Sequence, residues 1–179
     1  MLIFVVCRLR YLHTMVDDNR TEFSVGRDAP TLQMTRVLNA PRSLVFRALT
    51  EPGLVSQWWG SFVEEPLETC EVDLRQGGRW RFVERMTDGK HLASGGTYEV
   101  IDPPSRLVQT LKFDADPWKG RTARLTFVLD DLGDKTRLTI TTRFASFADR
   151  DGMDIEGARR AGEVPFERLG RLLNQLQAS

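Results

Sequence analysis

At 179 residues, with 41% hydrophobic and 28% charged side chains, the chain fits one soluble domain with a real core and excludes a disordered or membrane-embedded class. Its 25 basic and 25 acidic residues cancel, so no whole-chain field steers it toward nucleic acid or an anionic membrane. Two cysteines, Cys7 and Cys70, are too few and too far apart for a disulfide framework or a zinc site, which fits a reducing, cytoplasmic setting.

The apolar run LIFVVC near the N-terminus is shorter than a secretory h-region, has no basic stretch before it and cannot span a bilayer. Residues 1–14 read as an extension, an added strand, or codons upstream of an initiator at Met15. The polar segment Met15–Pro30 reads as a lead-in, so residues 1–30 form a partly disordered N-terminal extension and residues 31–179 the folded domain. TLQMTRVL then alternates in the manner of a half-buried strand.

Pro41 opens a helix whose apolar stripe is Leu44, Val45, Ala48 and Leu49. Thr50-Glu51-Pro52 repeats the start signal for a second short helix, carrying Leu54, Val55 and Trp58 and stopping at Gly60. Trp58 continues the apolar face into the core. Trp59, released from helical phase by the glycine, turns toward the rim of the interior or a neighbouring loop.

From residue 61 to 144 the period becomes two. ETCEVDL, GGRWRFVER, SGGTYEVI, RLVQTLKF, ARLTFVLDD and TRLTITTRF read as strands separated by turns such as TDGK and LGDK. Seven strands are thus predicted, in antiparallel order. Alternation places Trp80, Phe82, Leu107, Leu125, Phe127 and Leu138 on the buried face with Leu111, Phe113, Leu129, Ile140 and Phe144, and turns Arg79, Arg81, Arg85, Lys112, Arg137 and Arg143 to solvent. The glycine pairs 77–78 and 95–96 read as bulges or sharp strand entries. Phe166, Leu169, Leu172, Leu173 and Leu176 recur at helical spacing, which predicts a C-terminal helix over the sheet, with Pro165 either in its first turn, the placement favoured by Gly162 just upstream, or at a kink after an earlier turn around DIEGARRA.

Chemistry-bearing motifs are sparse. His13 and His91 have no neighbour at metal-ligand spacing, which argues against zinc, non-haem iron and a histidine-dependent triad. No glycine-rich phosphate cradle follows a strand, and no cofactor or metal is implied. Glu64-Glu65 and Asp130-Asp131 fall in loops or hairpin ends. Glu84 and Glu99 can alternate onto a strand face beside apolar neighbours. The strongest signal is aromatic: Trp58, Trp59, Trp80, Tyr98, Trp118 and the strand phenylalanines converge from every predicted element, and such rings can either fill an interior or line an apolar site.

The blocks TRVLNAPRSLVFRALTEPGLVSQWWG, DLRQGGRWRFVERMTDGK, SGGTYEVIDPPSRLVQTLKF and TRLTITTRF together resemble the activator of heat-shock-protein-ninety ATPase homologue family, within the START-like, polyketide-cyclase-like superfamily. The resemblance runs from about Thr31 to the C-terminus. It implies an α+β helix-grip fold, START-like and Bet v-like, in which a curved antiparallel sheet wraps a long C-terminal helix and leaves a cavity between them. The family's Trp-Trp-Gly block falls on Trp58, Trp59 and Gly60, and its Gly-Gly-x-aromatic block on Gly77, Gly78, Trp80 and Phe82. Many relatives carry Gly-Trp near the start of the last helix, where this chain has Gly162-Glu163.

The expected function is binding of a hydrophobic small molecule in that cavity, lined by Trp80, Phe82, Leu111, Phe113, Phe127 and Phe166, with Trp59 at the rim. Glu84, Tyr98 and Arg124 complete the candidate ligand-binding set, and with Glu99 they are the polar participants of the alternative, a cyclase or hydrolase. A third reading, from the family resemblance alone, is a module that stimulates a chaperone ATPase. A homodimer stays open, although the arginine-rich sheet face offers no large apolar interface.

Overall fold

The computed structural model describes residues 20–60, 65–114 and 119–178. The readings of residues 1–14, Met15, Cys7, His13, Glu64 and Trp118 lie outside the described residues. Eight strands form one open sheet: β1 (Glu22–Val25), β2 (Thr31–Leu38), β3 (Thr69–Val72), β4 (Arg79–Arg85), β5 (His91–Asp102), β6 (Arg106–Phe113), β7 (Thr122–Asp131) and β8 (Thr136–Phe144). Their order is β1-β2-β8-β7-β6-β5-β4-β3, and every adjacent pair is antiparallel. Between β2 and β3 lie α1 (Arg42–Thr50) and α2 (Pro52–Trp58); after β8 come α3 (Phe147–Asp151) and the 23-residue α4 (Ile155–Gln177). This is an α+β fold of the helix-grip type.

All seven predicted strands are present as β2–β8. The eighth, β1, falls in the segment read as a lead-in, because four residues of mixed polarity, EFSV, are too few to show a period. It is held by pairing with the outer edge of β2.

In α1 the buried face is Val45, Phe46, Ala48 and Leu49, so Phe46 joins the predicted stripe while Leu44 is only partly covered. α2 starts with Pro52 at its first position, where a missing N–H costs no intrahelical bond. Its last residue, Trp58, is 3% exposed, and its indole N–H donates to the Ala48 carbonyl at 2.7 Å, locking α2 onto α1.

Pro165 lies inside α4 rather than in its first turn. The upstream run Ile155–Val164 has enough helix formers to continue, and Arg159 links Glu156 at 3.0 Å and Glu163 at 2.5 Å along the same face. Gly162, which weakens a helix intrinsically, has a packing reason here: a methyl group on it would meet Met34 Sδ of β2 at 2.2 Å. The apolar stripe of α4 ends at Leu173, since Leu176 is 36% exposed. The core comprises the concave sheet face, α1, α2 and the C-terminal half of α4, centred on Leu38, Val45, Trp58, Phe127, Leu138 and Leu169.

Candidate functional site

Period-two alternation puts one set of side chains on the concave face, and strand register aligns them in rows. One row runs Met34, Ile140, Phe127, Leu107, Ile101; the next runs Leu32, Thr142, Leu125, Gln109, Tyr98. A β-bulge between Tyr98 and Val100 changes the parity of β5, so that both Tyr98 and Ile101 face inward.

Coverage varies within these rows: in the first, Phe127 and Leu107 are buried while Met34, Ile140 and Ile101 are partly accessible, and in the second Leu32, Leu125, Gln109 and Tyr98 are buried. Leu38, Leu107, Phe127, Leu129 and Leu138 are at most 2% exposed, whereas the inward-facing Met34, Leu111, Phe113, Ile140 and Phe144 are only half-buried. The layer above them divides in the same way. In α4, Phe166, Arg168, Leu169, Leu172 and Leu173 are buried, but no residue from Ile155 to Pro165 is. The concave face therefore has a closed end and a more open end, where apolar and aromatic side chains lie under a helix segment that is itself only partly buried although its Gly162 packs against Met34.

Across β5 from Leu111 and Phe113 stands a group of four rings, Phe82 lying in the same row as Ser94 and Phe113. Trp59 meets Trp58 at 5.5 Å, Trp80 at 5.8 Å and Phe82 at 5.2 Å between centroids, each edge-on, and Trp80 and Phe82 meet at 4.7 Å. Trp59 is half-buried, as expected for a ring at the rim; Trp80 and Phe82 are 2% and 3% exposed and are core. Among the described residues the indole N–H of Trp80 has no hydrogen-bond partner. A buried unpaired donor costs about 1–3 kcal/mol.

Gly60 follows the tryptophans with φ +104°, a left-handed backbone that any side chain would strain, and a methyl group there would lie 2.8 Å from Glu84 Oε2. Its carbonyl accepts a 3.1 Å hydrogen bond from Arg168 Nη1 on α4. The Trp-Trp-Gly segment is thus where α2, β4 and α4 are tied together, with the half-buried Glu84 on the inner face of β4 beside it.

The remaining predicted site residues separate into groups. Phe127 and Phe166 are core at 2% and 3% exposure, and Leu111 and Phe113 line the open end. Tyr98 is inward-facing and 2% exposed, and burial, followed by the charges of Cys70 and Asp73, pushes its phenol pKa upward, so it is held neutral. Arg124 is on the opposite, convex face, where it pairs with Glu99 at 2.5 Å; neither shares a face with the rings. The half-buried Cys70 thiol, opposite Phe82, is pushed up to about 11 by burial, so it is no nucleophile at neutral pH.

Gln109 escaped the sequence reading. It is 3% exposed and directly opposite Tyr98. Its signal was present in RLVQTLKF, where it takes an inward position between Leu107 and Leu111.

Two clefts flank the C-terminal half of α4. One, of about 280 Å³, is lined by Gln57, Arg168, Arg171, Leu172 and Gln175; the other, of about 340 Å³, lies against β2 with Arg36, Asn39, Glu167 and Asn174 in its wall. Neither has an aromatic wall, and both offer mainly polar groups. Among the described residues no group of three or more His, Cys, Asp or Glu side chains could hold a metal ion, and no helix is long and apolar enough to cross a membrane.

Residues 39–177 match the family described as Activator of Hsp90 ATPase homolog 1-like protein. Among solved structures, the chain is similar to a Rhodobacter sphaeroides protein (22% identity, TM-score 0.78, covering 88% of this chain and 99% of that one). It is also similar to a Mycobacterium smegmatis protein (20%, 0.74, 86% and 96%) and to a Nitrosomonas europaea protein (25%, 0.72, 83% and 97%). A search of the curated proteins returned no match.

Proposed function

The chain belongs to the Activator of Hsp90 ATPase homolog 1-like family, and from that premise we propose that it binds a hydrophobic or aromatic small molecule between the N-terminal half of α4 and the concave sheet face. The half-open end carries the reading. Leu111, Phe113, Ile140 and Phe144 point inward on the strands yet stay partly accessible, and Ile155–Pro165 above the sheet are themselves at most partly buried. Concave apolar surface left uncovered is the usual form of a small-molecule site.

The energetics are adequate. A ring system the size of a large aromatic side chain buries about 150–250 Å². At about 25 cal/mol per Å² that is about 4–6 kcal/mol before ordering costs, which sets a ceiling between about millimolar and tens of micromolar for the apolar part alone. Proton-transfer chemistry has less support, since Glu99 and Arg124 neutralise each other on the far face and Tyr98 is held neutral.

Native mass spectrometry of protein purified from its own host tests the proposal. The expected spectrum shows the 20.4 kDa chain with a retained small-molecule adduct. A bare chain, together with no thermal stabilisation by any of a panel of apolar aromatic compounds, would refute it.

A further inference from the structure

Two tryptophans in one core are treated differently. The Trp58 N–H donates to Ala48, whereas the Trp80 N–H, on a ring only 2% exposed, donates to nothing among the described residues. Native proteins pair almost all such donors, and an exception asks for an explanation.

Strand register suggests one. Gly96 lies opposite Trp80, so β5 places no side chain directly beside the indole on that face; at Gly96 itself β6 approaches so closely that a methyl group would meet the Thr110 carbonyl oxygen at 2.0 Å. Two residues along, Tyr98 faces Gln109 across β5 and β6, and both are at most 3% exposed. Diagonal neighbours on one sheet face are about 7–8 Å apart, within reach of long side chains. The inner surface around Gly96 therefore brings together an indole N–H, a phenol O–H and a carboxamide, in an otherwise apolar setting continuous along β6 with Leu111 and Phe113 of the open end. None of the three carries charge, so an ionised ligand group would lose its hydration without a counter-charge. A neutral acceptor would meet one or two waiting donors.

We propose that Trp80, Tyr98 and Gln109 form a hydrogen-bonding subsite that selects a neutral aromatic ligand bearing a carbonyl-type acceptor, with the Trp80 N–H as its principal donor. The proposal rests on the ligand-binding reading above and adds the polar half of the ligand to it. Such a subsite explains why the protein keeps, at a buried position, an indole whose N–H has no partner among the described residues, where phenylalanine would carry no polar cost.

The test compares two probes of nearly equal shape, 2-acetonaphthone and 2-ethylnaphthalene, which differ by a carbonyl in place of a methylene. Equilibrium dialysis measures both against the native protein and against Trp80→Phe. The expected result is a ketone preference that is about two- to tenfold greater in the native protein than in Trp80→Phe, the worth of one net hydrogen bond. The ligand-free variant should stay folded, relief of the unpaired donor offsetting part of the packing lost with the indole's second ring.

An unchanged preference in a folded Trp80→Phe overturns the subsite while leaving the binding reading standing. Failure of the native protein to bind either probe overturns the subsite, and the binding reading then falls with it if native mass spectrometry also shows a bare chain and no compound of the aromatic panel stabilises the fold. Should Trp80→Phe not fold, Tyr98→Phe and Gln109→Leu make the same comparison: loss of the ketone preference in either supports the subsite, and retention in both overturns it.

Discussion

The two ends of the concave face are built from the same strands with the same alternation, yet they come to opposite states. At the closed end, α1, α2 and the second half of α4 press onto Leu38, Leu129 and Leu138 until at most 2% of each is exposed. At the open end, the first half of α4 leaves Leu111, Phe113 and Ile140 partly accessible. The strands decide which side chains face inward; the helices decide which of those are core and which are surface for a guest. Stability and binding should therefore separate along the length of one helix, at about Pro165.

The largest effect that would sharpen this contrast is at the closed end. Trp58→Ala should cost about 3–5 kcal/mol in chemical denaturation, since it removes a buried ring and leaves the Ala48 carbonyl without its donor. Trp59→Ala, at the half-buried rim, should cost about 1–2 kcal/mol. Equal large losses at both would break the distinction between core and rim. Gly60→Ala comes next: a left-handed backbone and contact with Glu84 Oε2 should cost about 1–2 kcal/mol in the same assay.

At the open end the order should reverse. Phe113→Ala should cost about 1 kcal/mol or less in stability, yet weaken 2-acetonaphthone binding several-fold in equilibrium dialysis; a loss as large as that of Trp58→Ala would make Phe113 core. The smallest expected effect is a pH dependence. The Cys70 thiol is pushed up from 9.0 to about 11 by burial, so the unfolded chain ionises there first. Its contribution to stability is fully present below pH 9 and is lost as pH rises to 11. Cys70→Ala should flatten that part of the stability profile, with the raised Tyr98 phenol contributing the remainder above pH 10.

Much of the fold was legible because alternation and turn residues report directly on strands: β2–β8 follow from them, as do the solvent-facing Arg79, Arg81 and Arg137. β1 was too short to show a period, and Pro165 misled because side-chain pairing and tertiary seating of α4 outweighed a local helix-start signal. The site was only partly legible. Arg124 sits one residue from Leu125 and therefore on the other face, which alternation alone implies. The parity change at the Tyr98/Val100 bulge could not be read, nor could the difference between a ring that fills and a ring that lines, because both depend on where the last helix lies over the sheet.

The most direct test of the two-ended interior is a nuclear magnetic resonance titration of the isotope-labelled chain with 2-acetonaphthone, following backbone amides and methyl groups residue by residue. The expected perturbations fall on Leu111, Phe113, Ile140, Thr142 and the Ala158–Gly162 stretch of α4, while Leu38, Leu129 and Leu138 stay still. Perturbations confined to the closed end, or to the polar clefts around Gln57 and Arg171, would contradict it.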